Sequence, residues 1–256
     1  MLPLVKWSGG KQDEIKNFEH LIPKDFNVYL EPFAGGASVF FYLEPKSSAI
    51  NDIHPELIDF YKSIRDGFGK DIHDFMEMYP NDEDTYYFVR SLKCKNQLEN
   101  AMKFYYLRKT CYRGMLRYNS NGEFNIPFGR YKSINYSELL NNKYIDLFKE
   151  CEIYNTDFSL LFEKYNDQNN FMFLDPPYDS TFTDYGYCVF GKDEHIRLSE
   201  YFKTTKIRCL MVIGETDFIK ELYKGYIHSS FSKNYRFKLH SDRVNVSNNH
   251  LIIKNY

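Results

Sequence analysis

Phe171-Met172-Phe173-Leu174-Asp175-Pro176-Pro177-Tyr178 is the stretch that decides how this chain is read. Four apolar residues in a row, two of them aromatic, predict a short buried strand. Two prolines, which cannot donate to a sheet ladder, end it. In an open α/β sheet, ligands gather just beyond the carboxyl ends of the strands, so Asp175 to Tyr178 stand where chemistry is expected.

Further strands and helices alternate on both sides of this point. Asn27-Val28-Tyr29-Leu30 reads as a strand, and Glu31-Pro32-Phe33-Ala34-Gly35-Gly36-Ala37-Ser38 as a glycine turn entering a helix over 37–43. Strand, glycine turn and helix N-terminus form the first half of a nucleotide-binding α/β unit. The spacing lacks G-x-G-x-x-G, so a pyrophosphate is not indicated. Ser48-Ala49-Ile50 is a second strand leading into Asn51-Asp52-Ile53, and Pro55 opens a helix to Arg65. Asp52 either receives ribose hydroxyls or caps that helix. Earlier still, Ser8-Gly9-Gly10 turns the chain between a stacking face, Trp7, and a cation, Lys11; it is a plain turn or a ligand site. Downstream, Cys151-Glu152-Ile153-Tyr154 is a strand ending at Asn155-Thr156-Asp157-Phe158, and a helix covers 193–204. Cys209-Leu210-Met211-Val212-Ile213 is the clearest buried strand, Asp217 opens another helix, and 235–239 and 251–255 read as two strands joined by a polar loop.

Between residues 66 and 148 the character changes to mixed helical patterns without a convincing buried strand, including a helix over 97–111. From Lys103 to Lys132 seven cations stand against Glu123 alone, although the whole chain has a formal net charge of −2. That segment is a candidate polyanion contact. Its long loop, 113–132, interleaves arginine, asparagine and aromatic residues, which suits phosphates, guanine edges and displaced bases.

Composition excludes several classes. With 43% hydrophobic and 27% charged residues among 256, the chain is long enough to bury a sizeable core and is not of disordered composition. The five cysteines are scattered, with no C-x-x-C pair, and the histidines show no metal spacing; neither a disulfide framework nor a metal site is indicated, and a reducing, cytoplasmic setting fits. No stretch approaches the roughly 20 apolar residues of a membrane span, and the N-terminus shows no export signal.

In Asp175-Pro176-Pro177-Tyr178 a carboxylate, proline carbonyls without competing donors, and a flat ring come together. They suit a planar amine. Such a nitrogen is a poor nucleophile while its lone pair is delocalised, and acceptors for both of its protons favour the tetrahedral form that attacks a methyl group. A base inside a duplex reaches such a pocket only by flipping out, which costs a few kcal/mol. Adenine, cytosine and amide nitrogens all satisfy the tetrapeptide, and a non-catalytic DNA-binding protein is the rival from another class.

Taken in order, Lys6-Trp7-Ser8-Gly9-Gly10-Lys11, Glu31-Pro32-Phe33-Ala34-Gly35-Gly36, Asn51-Asp52-Ile53, the loop of 113–132 and Asp175-Pro176-Pro177-Tyr178 resemble the DNA-adenine N6-methyltransferases of the Dam type, the alpha group with a DPPY motif. The likeness covers most of the chain; each motif is modest alone, and their common order is specific. It implies a Rossmann-like α/β fold that uses S-adenosylmethionine and acts on double-stranded DNA. Residues 1–65 and 149–256 would form the catalytic domain and 66–148 a helical target-recognition insertion. By the same resemblance Asp175, Pro176, Pro177 and Tyr178 are catalytic. Trp7, Lys11, Phe33, Gly35, Gly36 and Asp175 line the cofactor site, Asp52 takes the ribose hydroxyls, and Asp157 with Phe158 holds the cofactor's adenine. Tyr112, Arg113 and Met115 would sit beside the vacated base stack, Arg117 and Arg130 on DNA, and Tyr185, in Thr181-Phe182-Thr183-Asp184-Tyr185, against the flipped base. Arg113 departs from the neutral polar residue expected there. The loop around Arg243 touches phosphates or is a solvated turn. A GATC-like target is implied.

Overall fold

The structure, a computed structural model, describes residues 1–7, 9–179, 190–232 and 249–256. Ser8, the 181–185 segment with Tyr185, the expected strand at 235–239 and Arg243 therefore lie outside the described residues.

Among the described residues seven strands form one sheet: β1 (Tyr29–Glu31), β2 (Ser48–Asn51), β3 (Cys151–Tyr154), β4 (Phe171–Leu174), β5 (Arg208–Gly214), β6 (Ile227–Ser232) and β7 (Asn249–Lys254). Their order is β3-β2-β1-β4-β5-β7-β6. The first five run parallel, while β7 is antiparallel to β5 and to β6. The central strands β1, β2 and β4 are buried along their whole length, as expected when helices cover both faces of a parallel sheet. Alternate residues divide between two cores: Leu210 and Val212 of β5 join Tyr29, Phe171 and Phe173 on one face, and Cys209, Met211 and Ile213 join Leu30, Met172 and Leu174 on the other.

The first face is covered by α1 (Ser38–Leu43), α2 (Pro55–Arg65) and α6 (Asn142–Lys149), through Phe40, Phe41, Tyr61 and Phe148. The second is covered by α7 (Ser159–Lys164), α8 (Lys192–Thr204) and α9 (Asp217–Leu222), through Leu161, Phe162, Leu198, Phe202 and Ile219. Between α2 and α6 stand α3 (Gly69–Met78), α4 (Glu83–Ser91) and α5 (Gln97–Thr110), then a loop with two isolated bridges, Cys111 to Phe128 and Tyr118 to Phe124. Phe104 and Tyr105 of α5 pack against Phe60 of α2, so these helices share the core of the first face.

The expected α2, β3 and β4 coincide with the observed ones, and the expected β1, β2, α5, α8, β5 and β7 differ by one or two residues at their ends. Strand β6 was not anticipated. Its sequence, Ile-His-Ser-Ser-Phe-Ser, lacks an apolar alternation because it is an exposed sheet edge interrupted by a bulge between Ile227 and Ser229. Among the described residues no helix is long and apolar enough to cross a membrane.

Candidate active site

In the strand order, β1 and β4 lie side by side and the chain winds outward from them in opposite directions, which places a crevice beyond their carboxyl ends. A cavity of ≈ 390 Å³ occupies it. Its walls come from the carboxyl ends of β1, β2, β3 and β4 and from the N-terminal segment, and they include Trp7, Lys11, Phe33, Gly35, Gly36, Asp52, Asp157, Phe158 and the run Asp175 to Tyr178. These are the positions named from the sequence as catalytic or cofactor-lining.

Lys11 is 2% exposed, and its ammonium donates to the Gly9 carbonyl at 2.9 Å, Asp175 Oδ1 at 2.5 Å and the Tyr178 hydroxyl at 3.0 Å. Three donors meet three acceptors, which is what a buried ammonium requires. The lysine, expected among cofactor contacts, thus holds the carboxylate and ring of the tetrapeptide together across 164 residues of sequence.

The glycine turn fits beneath Trp7. Gly35 has φ +46°, and a Cβ there would stand 2.6 Å from the indole. Neither the backbone nor the space admits a larger residue. Tyr61 of α2 donates its hydroxyl to the Gly35 carbonyl at 2.7 Å, and the Gly35 amide donates to Asp52 Oδ2 at 2.8 Å. Asp52 Oδ1 accepts from the His54 amide at 2.9 Å. Asp52 is therefore not the cap of α2. That role belongs to His54, whose Nδ1 accepts from the Leu57 amide at 3.2 Å. Burial pushes the Asp52 carboxyl up to about 6, against the backbone hydrogen bonds that favour its ionised form. Burial likewise raises Glu31, another cavity wall, to about 8; its Oε2 accepts from the Tyr29 hydroxyl and the Phe40 amide.

Three rings, Phe33, Phe158 and Phe190, form an apolar corner with centroids 5.4–6.0 Å apart. Asp157, the expected adenine holder, is gripped by Arg197 of α8, whose Nη1 and Nη2 donate to its two carboxylate oxygens at 2.8 and 2.6 Å. The fork holds the Asp157 carboxyl down at about 2. Arg197 also lies 4.3 Å over the Phe158 ring and pairs with Glu194, which lines the cavity. Glu31, Phe190, Glu194 and Arg197 were not singled out from the sequence. Glu31 stood within the quoted glycine motif, an acid at a strand end, and was readable; the others come from a distant helix and its approach, without a local signal.

A family model of the D12 class N6 adenine-specific DNA methyltransferases matches residues 7–239. The chain belongs to this family. This methyltransferase is 56% identical over 260 residues, covering 100% of both chains, to the type II methyltransferase M.CviBI of Paramecium bursaria Chlorella virus NC1A. It is 34% identical to the type II methyltransferase M.MjaIII of Methanocaldococcus jannaschii, with 88% of each chain covered, and 29% identical to the DNA adenine methylase of Haemophilus influenzae, covering 87% of this chain and 83% of that one. Adenine is thus the base, and the rival planar amines fall away.

In this methyltransferase the described residues named for DNA lie outside the cavity wall, on the loop after α5. Tyr112 and Met115 are 43% and 39% exposed. Arg113, at φ 55°, stacks its guanidinium 5.2 Å from the Tyr112 ring. Arg117 donates from Nε to Asn125 Oδ1 at 2.7 Å, and Arg130 pairs with Glu83 at 3.1 Å on the surface. Two buried side chains join this loop to the cavity. Arg108 of α5 donates to the carbonyls of Met115 and Lys6 and lies 5.3 Å from the Trp7 ring. His54, with Nδ1 occupied by the Leu57 amide, carries its proton on Nε2 and donates to the Tyr118 hydroxyl at 2.7 Å, which donates to Glu56 at 2.5 Å. Burial lowers the His54 imidazole to about 3, so it stays neutral.

Proposed function

We propose that this adenine N6-methyltransferase binds S-adenosylmethionine in the ≈ 390 Å³ cavity and receives there an adenine flipped out of double-stranded DNA. The observation that carries the reading is the Lys11–Asp175–Tyr178 constellation, opening into a cavity that also presents a buried carboxylate and an aromatic corner. The residues fit that cofactor. Asp52 faces the cavity with each oxygen bonded to one backbone amide, which leaves acceptor capacity for ribose hydroxyls. Phe33, Phe158 and Phe190 suit a flat heterocycle. Asp157 Oδ1 accepts from Arg197 and from the Ser159 amide, and Oδ2, with one guanidinium nitrogen on it, keeps a lone pair for an exocyclic amine.

When bound, S-adenosylmethionine supplies an electrophilic methyl group on a sulfonium. The chain's own part is to prepare the nitrogen. Asp175 and the Pro176 carbonyl accept hydrogen bonds from the two amine N–H groups and draw the lone pair out of ring conjugation, while Tyr178 stacks on the base. Stacking at roughly 1–3 kcal/mol per base offsets part of the cost of flipping. Transfer is a direct displacement. Cys94, Cys111, Cys151 and Cys209 do not line the cavity, and burial raises the Cys111 and Cys151 thiols to about 11 and about 12, far from a reactive thiolate. Residues 66–148 serve as the target-recognition unit: Arg117 reads a guanine edge, Arg130 meets phosphate, and Tyr112, Arg113 and Met115 fill the vacated stack at a GATC-like site. The type II names of relatives support a restriction–modification role.

Calorimetry with S-adenosylmethionine, followed by mass analysis of nucleosides from DNA treated with methyl-labelled cofactor, tests the reading. Binding by the wild-type chain and label confined to N6-methyladenine are expected; no binding, or label elsewhere, contradicts it.

A further inference from the structure

Tyr178 is held on more sides than the catalytic constellation requires. Gly214, the last residue of β5, lies directly under its ring: a Cβ there would approach Tyr178 Cδ2 to 3.3 Å and Cγ to 3.6 Å. Opposite Gly214 in the antiparallel ladder is His250 of β7. Directly opposed residues share one face of a sheet, so the bare glycine and the imidazole stand side by side. His250 meets the Tyr178 ring edge to face, with centroids 5.3 Å apart and planes at 83°. The imidazole is 1% exposed, and its Nδ1 lies 2.6 Å from Oε2 of Glu14, itself 3% exposed. A carboxylate only accepts, so Nδ1 carries the proton and the imidazole plane is set by Glu14. Glu14 donates its amide to the Lys11 carbonyl at 2.8 Å. One N-terminal turn thus reaches Tyr178 twice, through the Lys11 ammonium at the hydroxyl and through Glu14 and His250 at the ring edge. Neither His250, Glu14 nor Gly214 lines the cavity.

We propose that Glu14 and His250, with Gly214 as the floor, are positioning residues that fix the plane of the Tyr178 ring, so that the flipped adenine meets a stacking surface already in place. The inference rests on the reading that Tyr178 stacks on that base. A ring free to tilt would have to be ordered at the moment of flipping, and fixing it beforehand removes that cost. The device acts on capture of the base and leaves the methyl donor's site untouched.

The test compares Tyr178→Ala, His250→Gln and Gly214→Ala in the full chain. The glutamine keeps a donor for Glu14 and removes the ring edge; the alanine presses on Tyr178 from below. Each variant is measured by calorimetry with S-adenosylmethionine and by single-turnover methylation of two duplexes that carry a site the wild type modifies. In one duplex the target adenine faces thymine, and in the other it faces an abasic position, where flipping costs little. For His250→Gln and Gly214→Ala, cofactor affinity stays at the wild-type value. The rate on the paired duplex falls about threefold to tenfold, the range an edge-to-face aromatic pair is worth. It recovers on the abasic duplex. Equal losses on both duplexes, or a parallel loss of cofactor binding, would show mere structural support and overturn the inference, as would wild-type rates in both variants. If His250→Gln does not fold, Gly214→Ala decides alone. Tyr178→Ala separates the two levels: a wild-type rate on the paired duplex overturns the stacking reading itself, whereas a defect there with both positioning variants intact overturns only this inference.

Discussion

The cavity at the carboxyl edge of the sheet and the loop after α5 are built on opposite plans. In the cavity, polar groups are buried and already bonded: Lys11 spends all three donors on Gly9, Asp175 and Tyr178, and Asp52 holds the Gly35 and His54 amides. On the loop, Tyr112 and Met115 are exposed, and Arg130 forms a surface pair with Glu83. The contrast fits the role proposed for each. Stabilising a reacting nitrogen needs groups fixed in advance in a low-dielectric site, whereas reading DNA needs donors and rings that water satisfies until the duplex arrives. Arg117 stands between the two, since Asn125 aims its guanidinium without burying it.

Lys11→Met should break the cavity side hardest, because it removes the ammonium that joins Asp175 to the Tyr178 hydroxyl. Single-turnover methylation is expected to fall by roughly 10²–10³-fold, the scale of removing a preorganised electrostatic contact. A loss under tenfold would mean that the ion pair is incidental. Arg117→Ala tests the loop side: discrimination at one guanine should relax by about 1–3 kcal/mol while cofactor affinity holds. Should calorimetry show cofactor affinity falling in step, the two regions are not separable.

A smaller, pH-dependent effect is expected at Asp52. Its carboxyl in the free protein is raised to about 6, and hydroxyl donors bind its ionised form. Affinity for S-adenosylmethionine should therefore be steady well above pH 6 and weaken as pH falls through about 6, by at most about tenfold per pH unit. Asp52→Asn, which cannot ionise, should bind more weakly and lose the slope; an unchanged slope would assign the titration to another group. Least of all, Arg130→Ala should shift thermal stability by only about 0.5 kcal/mol, since its pair with Glu83 is exposed, and lower the salt slope of DNA binding by about one. An unaltered slope would remove Arg130 from the phosphate contacts.

How far the sequence reached depended on whether each signal was local. Helix α2 was legible because Pro55 supplies an N1 residue, and β4 because four apolar residues end at two prolines. The tetrapeptide and glycine turns are short local motifs, and it is the resemblance carried by their common order that named the residues of the cavity wall. Long-range choices were not legible. Whether Asp52 capped α2 depended on the Gly35 amide, 17 residues away, claiming one oxygen while His54 took the cap. Arg197 reaches Asp157 across 40 residues, and Tyr118 joins His54 across 64. Strand β6 exists because β7 pairs with it, and its polar, exposed residues record no such partner.

Asp175 is the centre of the proposed chemistry, and the most direct measurement is Asp175→Ala assayed twice on one preparation: S-adenosylmethionine binding by calorimetry, and transfer of labelled methyl to duplex DNA. Retained binding with transfer abolished is the expected result, because in the proposed arrangement the carboxylate orients the adenine amine while Asp52, Asp157 and the aromatic corner still hold the donor. Methylation at the wild-type rate by that variant would contradict it.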